Sequence, residues 1–442
     1  MPLTMPDSRI ATSGRSNAIG VLPALFIVAG NMVGSGIFLL PAVMASIGSI
    51  SIFSWIAALF IAIFVALVLI WLLRYAPSAQ HGITAPIGKT LGPLIGFQVN
   101  FLYWISAWVG NVAIAIAMTG YFSVFFPWAN SPFLGCLVTV ASIWLFTGVN
   151  ILGPRLVGAY SGLSFALGLI PIAVVGIAGW FWFDPGLFGG NWNPTGQKPY
   201  ILIPPTIVSV FWAFAGLESA AITASIVKNP ERNVPLVTIG GILLAALIYL
   251  SAVTVIMGLL PSAEIAKSAS PFADVVLKLF GASAAGIIAL CAIVKTSGTL
   301  SGWILVTAGV ADTAARESLF PKFLSGAPEG KIVSRNFVAN ATLMTGAVLV
   351  TLNPVLSKQF EVLINISVLL ILITYLACCV TLWRLKDRPR LGAARHLVVA
   401  MALIFCLFTV ITADVAALKA TGLLIAAGMA CWFAPWRRKS NA

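Results

Sequence analysis

The stretch VAGNMVGSGIFLLPAV, residues 28–43, is apolar enough to cross a bilayer, yet Asn31, Gly34, Ser35 and Gly36 interrupt it. Each glycine costs a helix interior about 1 kcal/mol relative to alanine. In lipid, every backbone N–H or C=O that such a break frees is costly unless a cavity or a bound molecule satisfies it. A second interruption occurs in SVFWAFAGLESAAI, residues 209–222, where Gly216 and the carboxylate of Glu218 fall near the middle of another apolar run. Glycines in membrane helices can also serve close packing alone. A matching break beside a buried carboxylate favours the binding reading.

The 442 residues are 60% hydrophobic and only 8% charged, against about 25% charged in soluble domains. So little charge cannot cover a water-facing surface, so the chain is expected to be an all-α integral membrane protein. The net charge of +13 does not point to nucleic acid, because most charges occupy short gaps between apolar runs. Twelve candidate spans follow from a need for about 20 apolar residues each: 20–46, 51–73, 94–125, 131–151, 157–182, 202–227, 236–260, 283–311, 335–353, 360–383, 396–415 and 417–436. The N-terminus, the even-numbered gaps and the C-terminal tail hold nineteen lysines and arginines, and the opposite gaps hold five. The positive-inside rule therefore places both termini of this multi-pass membrane protein in the cytoplasm. The arginine run within 384–395 reads as an anchor at the headgroups. No cleavable signal peptide is expected in the polar residues 1–18.

The two interruptions lie five spans apart. An odd separation makes a second copy of the unit run in the opposite sense, which is the pattern of an inverted repeat whose paired broken helices mark a midplane site. Half-helix N-termini suit a substrate carboxylate, and half-helix C-termini and free carbonyls suit an ammonium. Together they can hold both ends of an α-amino acid. The six cysteines sit in or at the ends of apolar segments without metal-ligand spacing, and His81 and His396 lie in polar gaps without catalytic partners. No metal, cofactor or enzymatic activity is expected, and rings of like charge that would mark a channel are missing.

The motif GNMVGSGIFLLPA (residues 30–42) resembles the amino acid–polyamine–organocation (APC) superfamily, and more closely its bacterial basic amino acid/polyamine antiporters, of the arginine/agmatine exchanger type. The resemblance continues through LYWISAWVGNVAIA (102–115), GWFWFDP (179–185), WAFAGLESA (212–220), KNPERNVP (228–235), SASPFAD (268–274) and SGTLSGW (297–303). It implies a leucine-transporter-like 5+5 inverted repeat with helices 1 and 6 broken. The expected layout is a tail at 1–18, a first repeat at 19–182, a second repeat at 200–385, spans eleven and twelve at 394–436, and a tail at 437–442. It also implies a homodimer.

By matching position, the resemblance gives Asn31, Ser35, Gly36, Ala215 and Gly216 the substrate's carboxylate and α-amino groups. Trp212 forms the inner wall and Trp303 packs along the substrate side chain. Ser106, Ala107 and Asn111 line the distal pocket, and Asn365 belongs to the same pocket. Tyr103 matches a gating tyrosine, expected with Trp303 to close the outer path. Independently, Tyr103, Ala107, Asn111 and Ile114 share one helical face by spacing, and a cation between aromatic faces gains about 0.5–2 kcal/mol per contact.

Glu218 and Lys295 are the two charges near mid-span, and such groups are functional by default. Glu218 matches a carboxylate tied to pH-dependent gating, or else ties down the unwound segment. Lys295 departs from the basic exchangers, where a small residue is expected. It lies one turn from Thr299, whose hydroxyl resembles a sodium ligand of coupled relatives. There it could stand in for sodium and couple transport to pH, pair with Glu218, or rest in packed carbonyls. The expected function is secondary transport of amino acids by alternating access, foremost antiport of a cationic amino acid against an amine. The alternative is proton-coupled symport of neutral amino acids through Lys295 and Glu218.

Overall fold

The computed structural model describes residues 20–76, 82–219, 227–326, 332–353, 355–385 and 392–433. These form seventeen α-helices with short 3-10 turns and no strand. In chain order they are α1 (Val21–Met32), α2 (Ser35–Ala45), α3 (Ile52–Tyr75), α4 (Ala85–Leu91), α5 (Pro93–Phe122), α6 (Pro132–Leu152), α7 (Pro154–Gly176), α8 (Pro185–Gly190) and α9 (Pro199–Phe211). They continue as α10 (Pro230–Met257), α11 (Ser262–Ile265), α12 (Pro271–Phe280), α13 (Ala282–Arg316), α14 (Ser334–Val350), α15 (Leu356–Arg384), α16 (Ala393–Ile411) and α17 (Val415–Trp432).

Proline punctuates this chain. Seven of the helices open on a proline at their first residue (93, 132, 154, 185, 199, 230 and 271), where the missing N–H would have no intrahelical partner anyway and the fixed φ suits the helix.

Nine helical segments among the described residues are long and apolar enough to cross a membrane, and α1, α2 and the α9 segment are shorter apolar pieces. Nine of the twelve expected spans therefore correspond to single long helices. The first expected span is split into α1 and α2, and the sixth breaks after α9 and runs into residues 220–226, outside the described residues. The ninth, α14, has only 17 residues, short of the roughly 20 that a perpendicular span needs. The expected tails at 1–18 and 437–442 also lie outside the described residues.

Helix α5 is the axis of the bundle. It packs along α13 and α15, and 78% of its most apolar window is buried. In α16 and α17 that share falls to 22% and 17%, so these two helices are peripheral. Outward faces carry exposed Phe133, Phe181, Leu247 and Leu423, an apolar surface of the kind that lipid covers. The core around α5 is continuous from α2 and α3 through α10, α13 and α15, and it encloses the two interruptions.

Candidate functional site

At the first interruption α1 stops at Met32, Val33 and Gly34 leave helical geometry, and α2 restarts at Ser35. At the second, α9 stops at Phe211, a 3-10 turn covers Trp212–Phe214, Ala215 is extended, and a further 3-10 turn covers Leu217–Ser219. Between these turns Gly216 takes φ +97°, a conformation that a Cβ disfavours and glycine accepts. The two breaks face each other through Tyr249 of α10, whose hydroxyl lies 2.7 Å from the carbonyl oxygen of Met32 and 3.0 Å from that of Ala213. Tyr249 is fully buried, so it partly satisfies two carbonyls that the broken helices would otherwise leave bare.

Of two prominent cavities among the described residues, the larger, of about 570 Å³ with its open mouth included, lies at these breaks. The smaller, of about 200 Å³, is bordered by Ser49, Ser51, Trp55 and residues of α10, with no charged side chain. The large cavity brings together nine of the residues singled out in the sequence: Gly36, Tyr103, Ser106, Ala107, Asn111, Trp212, Ala215, Glu218 and Trp303. Ile114 and Thr299 border it as well. Gly216 sits in the turn between Ala215 and Leu217 without lining the space. Asn31 is the penultimate residue of α1 and Ser35 the first of α2; their side chains lie outside the described part. Asn365 is placed elsewhere, accepting a 2.7 Å hydrogen bond from Ser209 of α9, and it does not border the cavity.

The indole of Trp212 is held by small neighbours. A Cβ on Gly110 would stand 2.7 Å from its Cη2, and one on Gly36 would stand 3.2 Å from its Cδ1. Gly34, one of the interrupting residues, lines the site too, and so do Gly110, Met32, Ser367 and Ile371, which escaped sequence reasoning. Ser367, Ile371 and Tyr375 recur every four residues on α15, a one-face signal that would have found them together.

Both carboxylate oxygens of Glu218 are engaged by phenols. Tyr103 donates to Oε1 at 3.1 Å and Tyr375 to Oε2 at 2.7 Å. The pairing of Glu218 with Lys295 is not formed. Lys295 is only 6% exposed, its Nζ stands 5.5 Å from the ring centroid of Phe165 on α7, and its stem lies against Gly168. Among the described residues it has no ion pair or side-chain hydrogen bond. Lys295 stays outside the cavity wall, so Glu218 is the one acidic or basic side chain lining the site among the described residues.

Helix direction separates Tyr103 from Trp303, so the two do not close one outer path together as expected. Asn111 of α5 bonds Thr307 of α13 at 3.0 Å, which registers the two helices. Trp303 lies one turn from Thr307, toward the start of α13. Tyr103 lies eight residues before Asn111, about 12 Å away at 1.5 Å per residue, toward the start of α5. There Phe97 meets Phe320 beyond the end of α13, so Trp303 and the Tyr103–Glu218–Tyr375 cluster border opposite ends of the cavity.

The sequence profile of a family described as amino acid permease matches residues 19–433. The chain is 36% identical to the cadaverine/lysine antiporter of Escherichia coli (strain K12) over 373 residues, 83% of this chain and 84% of that protein. It is 32% identical to the putrescine transporter PotE of the same strain over 368 residues, 83% of each. With the putrescine transporter PotE of Haemophilus influenzae it shares 35% identity over 376 residues, 82% of this chain and 83% of the relative. A profile match over nearly the whole length, joined by relatives at this identity and coverage, shows that the chain belongs to the amino acid permease family.

Proposed function

We propose that this protein is a secondary transporter, not an enzyme, that exchanges a cationic amino acid for an amine. The observation that carries this reading is the charge of the cavity. Among the described residues its one acidic or basic lining group is the carboxylate of Glu218, and Trp212 and Trp303 supply aromatic walls. A cationic side chain is attracted by both. The names of the relatives, a cadaverine/lysine antiporter and putrescine transporters, support lysine and cadaverine as the first substrates to try, ahead of arginine and agmatine.

In this reading the main-chain groups at residues 31–36 and 213–216 receive the α-amino and carboxylate groups, with Asn31, Ser35, Gly36, Ala215 and Gly216 as the positions involved. Trp303 closes the path at one end of the cavity, and Tyr103 with Tyr375 and Glu218 closes it at the other. Transport proceeds by alternating access in a twelve-helix, 5+5 inverted-repeat fold, with repeats at 19–182 and 200–385. Both termini are on the cytoplasmic side, and the family resemblance supports a homodimer.

Counterflow in proteoliposomes tests the exchange. Labelled lysine should enter only when lysine or cadaverine is inside, and Glu218→Gln should slow it. Uptake into empty vesicles that follows an imposed proton gradient would favour the second reading, proton symport. What favours that alternative is Lys295, buried without an ionic partner among the described residues. Lys295→Ala should then flatten the pH profile of uptake, and an unaltered profile removes the coupling role.

A further inference from the structure

We propose that Thr307, which does not border the cavity, fixes its preference for a terminal ammonium by setting the orientation of the Asn111 side chain. The proposal rests on the cationic-substrate reading above and adds how the pocket would tell a donor group from an amide. Thr307 has one hydroxyl hydrogen. It is given to the carbonyl of Trp303 at 2.8 Å, so toward Asn111 the hydroxyl can only accept. Asn111 therefore turns its Nδ2 to Thr307 at 3.0 Å. Its Oδ1 is left buried with no protein partner, in a side chain that borders the cavity.

The neighbouring serines complete the pattern. Ser106 donates to the carbonyl of Ser367 at 3.0 Å, and Ser367 donates to that of Ser106 at 2.8 Å. Each hydroxyl hydrogen is spent within this pair, on a main-chain carbonyl or on the other hydroxyl 3.2 Å away. Ser106 and Ser367 thus keep both O–H hydrogens for protein acceptors, and Asn111, with one Nδ2 hydrogen given to Thr307, leaves its Oδ1 unpartnered, so the wall offers oxygen lone pairs. A group rich in donors and free of acceptors, a primary ammonium, fits such a wall. A carboxamide brings its own acceptor and meets oxygen against oxygen. Without the Thr307 hydroxyl the Asn111 amide is free to turn over and present Nδ2, which removes the discrimination.

The test is competition against labelled lysine on purified protein, with unlabelled lysine and with homoglutamine, which carries a carboxamide in place of the lysine ammonium. Thr307→Val and Thr307→Ala should each narrow the homoglutamine-to-lysine ratio of inhibition constants about fivefold or more, as expected when a polar group is no longer held for one partner. Thr307→Ser, which keeps the hydroxyl, should retain the wild-type ratio. A ratio unchanged in both hydroxyl-free variants, or narrowed equally in the serine variant, overturns the role of Thr307. If the folded wild-type protein binds no lysine, the functional reading itself fails, and the discrimination proposed here fails with it.

Discussion

The hydroxyl of Tyr249 stands within hydrogen-bond distance of two carbonyls that are 181 positions apart in the chain, Met32 at the end of α1 and Ala213 beyond α9. One fully buried side chain thereby ties both interruptions together. The ring is wedged between Trp55, at 5.3 Å, and Phe214, at 5.9 Å, so Tyr249→Phe should keep the packing and lose only the tether. Lysine affinity measured by equilibrium binding should fall about fivefold, roughly 1 kcal/mol, the worth of one hydrogen bond. Unchanged affinity would mean that the tether does not shape the site.

Gly216 provides a second check on the broken geometry. Its φ of +97° is strained for any residue with a Cβ, at about 1–3 kcal/mol. Gly216→Ala should lower both the melting temperature in detergent and the transport rate. A variant as stable and active as the wild type would show that the turn tolerates a side chain, against the geometry described.

Trp303 borders the cavity at the end away from Tyr103. Replacing it with leucine removes the ring face but keeps an apolar side chain. If stacking on a cation contributes about 1.4 kcal/mol, Trp303→Leu should weaken binding of lysine about tenfold. Binding of a neutral amino acid should change less. Equal losses for both would assign Trp303 to packing.

Asp274, in the short helix α12 between the spans, gives a pH prediction. Burial raises its carboxyl pKa above 3.8, opposed by hydrogen bonds from Ser268 and Ser270. A raised folded-state pKa means that this group's contribution to stability is fully present below the unfolded value and is lost as pH rises through the folded value. At neutral pH the ionised side chain is therefore a net cost. Asp274→Asn should raise the melting temperature at pH 7 and leave it nearly unchanged at pH 3.5. A variant less stable at pH 7 would show that the serine hydrogen bonds outweigh burial.

How much of this was legible in the sequence depended on distance along the chain. The interruptions at Gly34–Gly36 and Gly216 could be read because glycine and polar residues inside an apolar run carry a local cost. The cavity face of α5, from Tyr103 through Ala107 and Asn111, could be read because helical spacing is local too. The charge of Glu218 and Lys295 marked both as unusual, but their partners come from distant segments. Tyr375 is 157 positions from Glu218, and Phe165 lies on a different helix from Lys295. Asn365 was assigned to the pocket by position, whereas packing turned it to Ser209. Tyr249 gave no signal, since a tyrosine in a membrane helix is ordinary until its acceptors are known. The sidedness of Tyr103 required the register between α5 and α13, which the Asn111–Thr307 bond supplies.

The most direct measurement is an experimental structure of the protein in lipid nanodiscs with lysine bound. The expected result is lysine at the two breaks, its α-amino and carboxylate groups against the main chain of residues 31–36 and 213–216, and its side chain running between Trp212 and Trp303. Continuous helix through residues 32–36 and 211–219, or lysine held at a site that touches neither break, would contradict the mechanism.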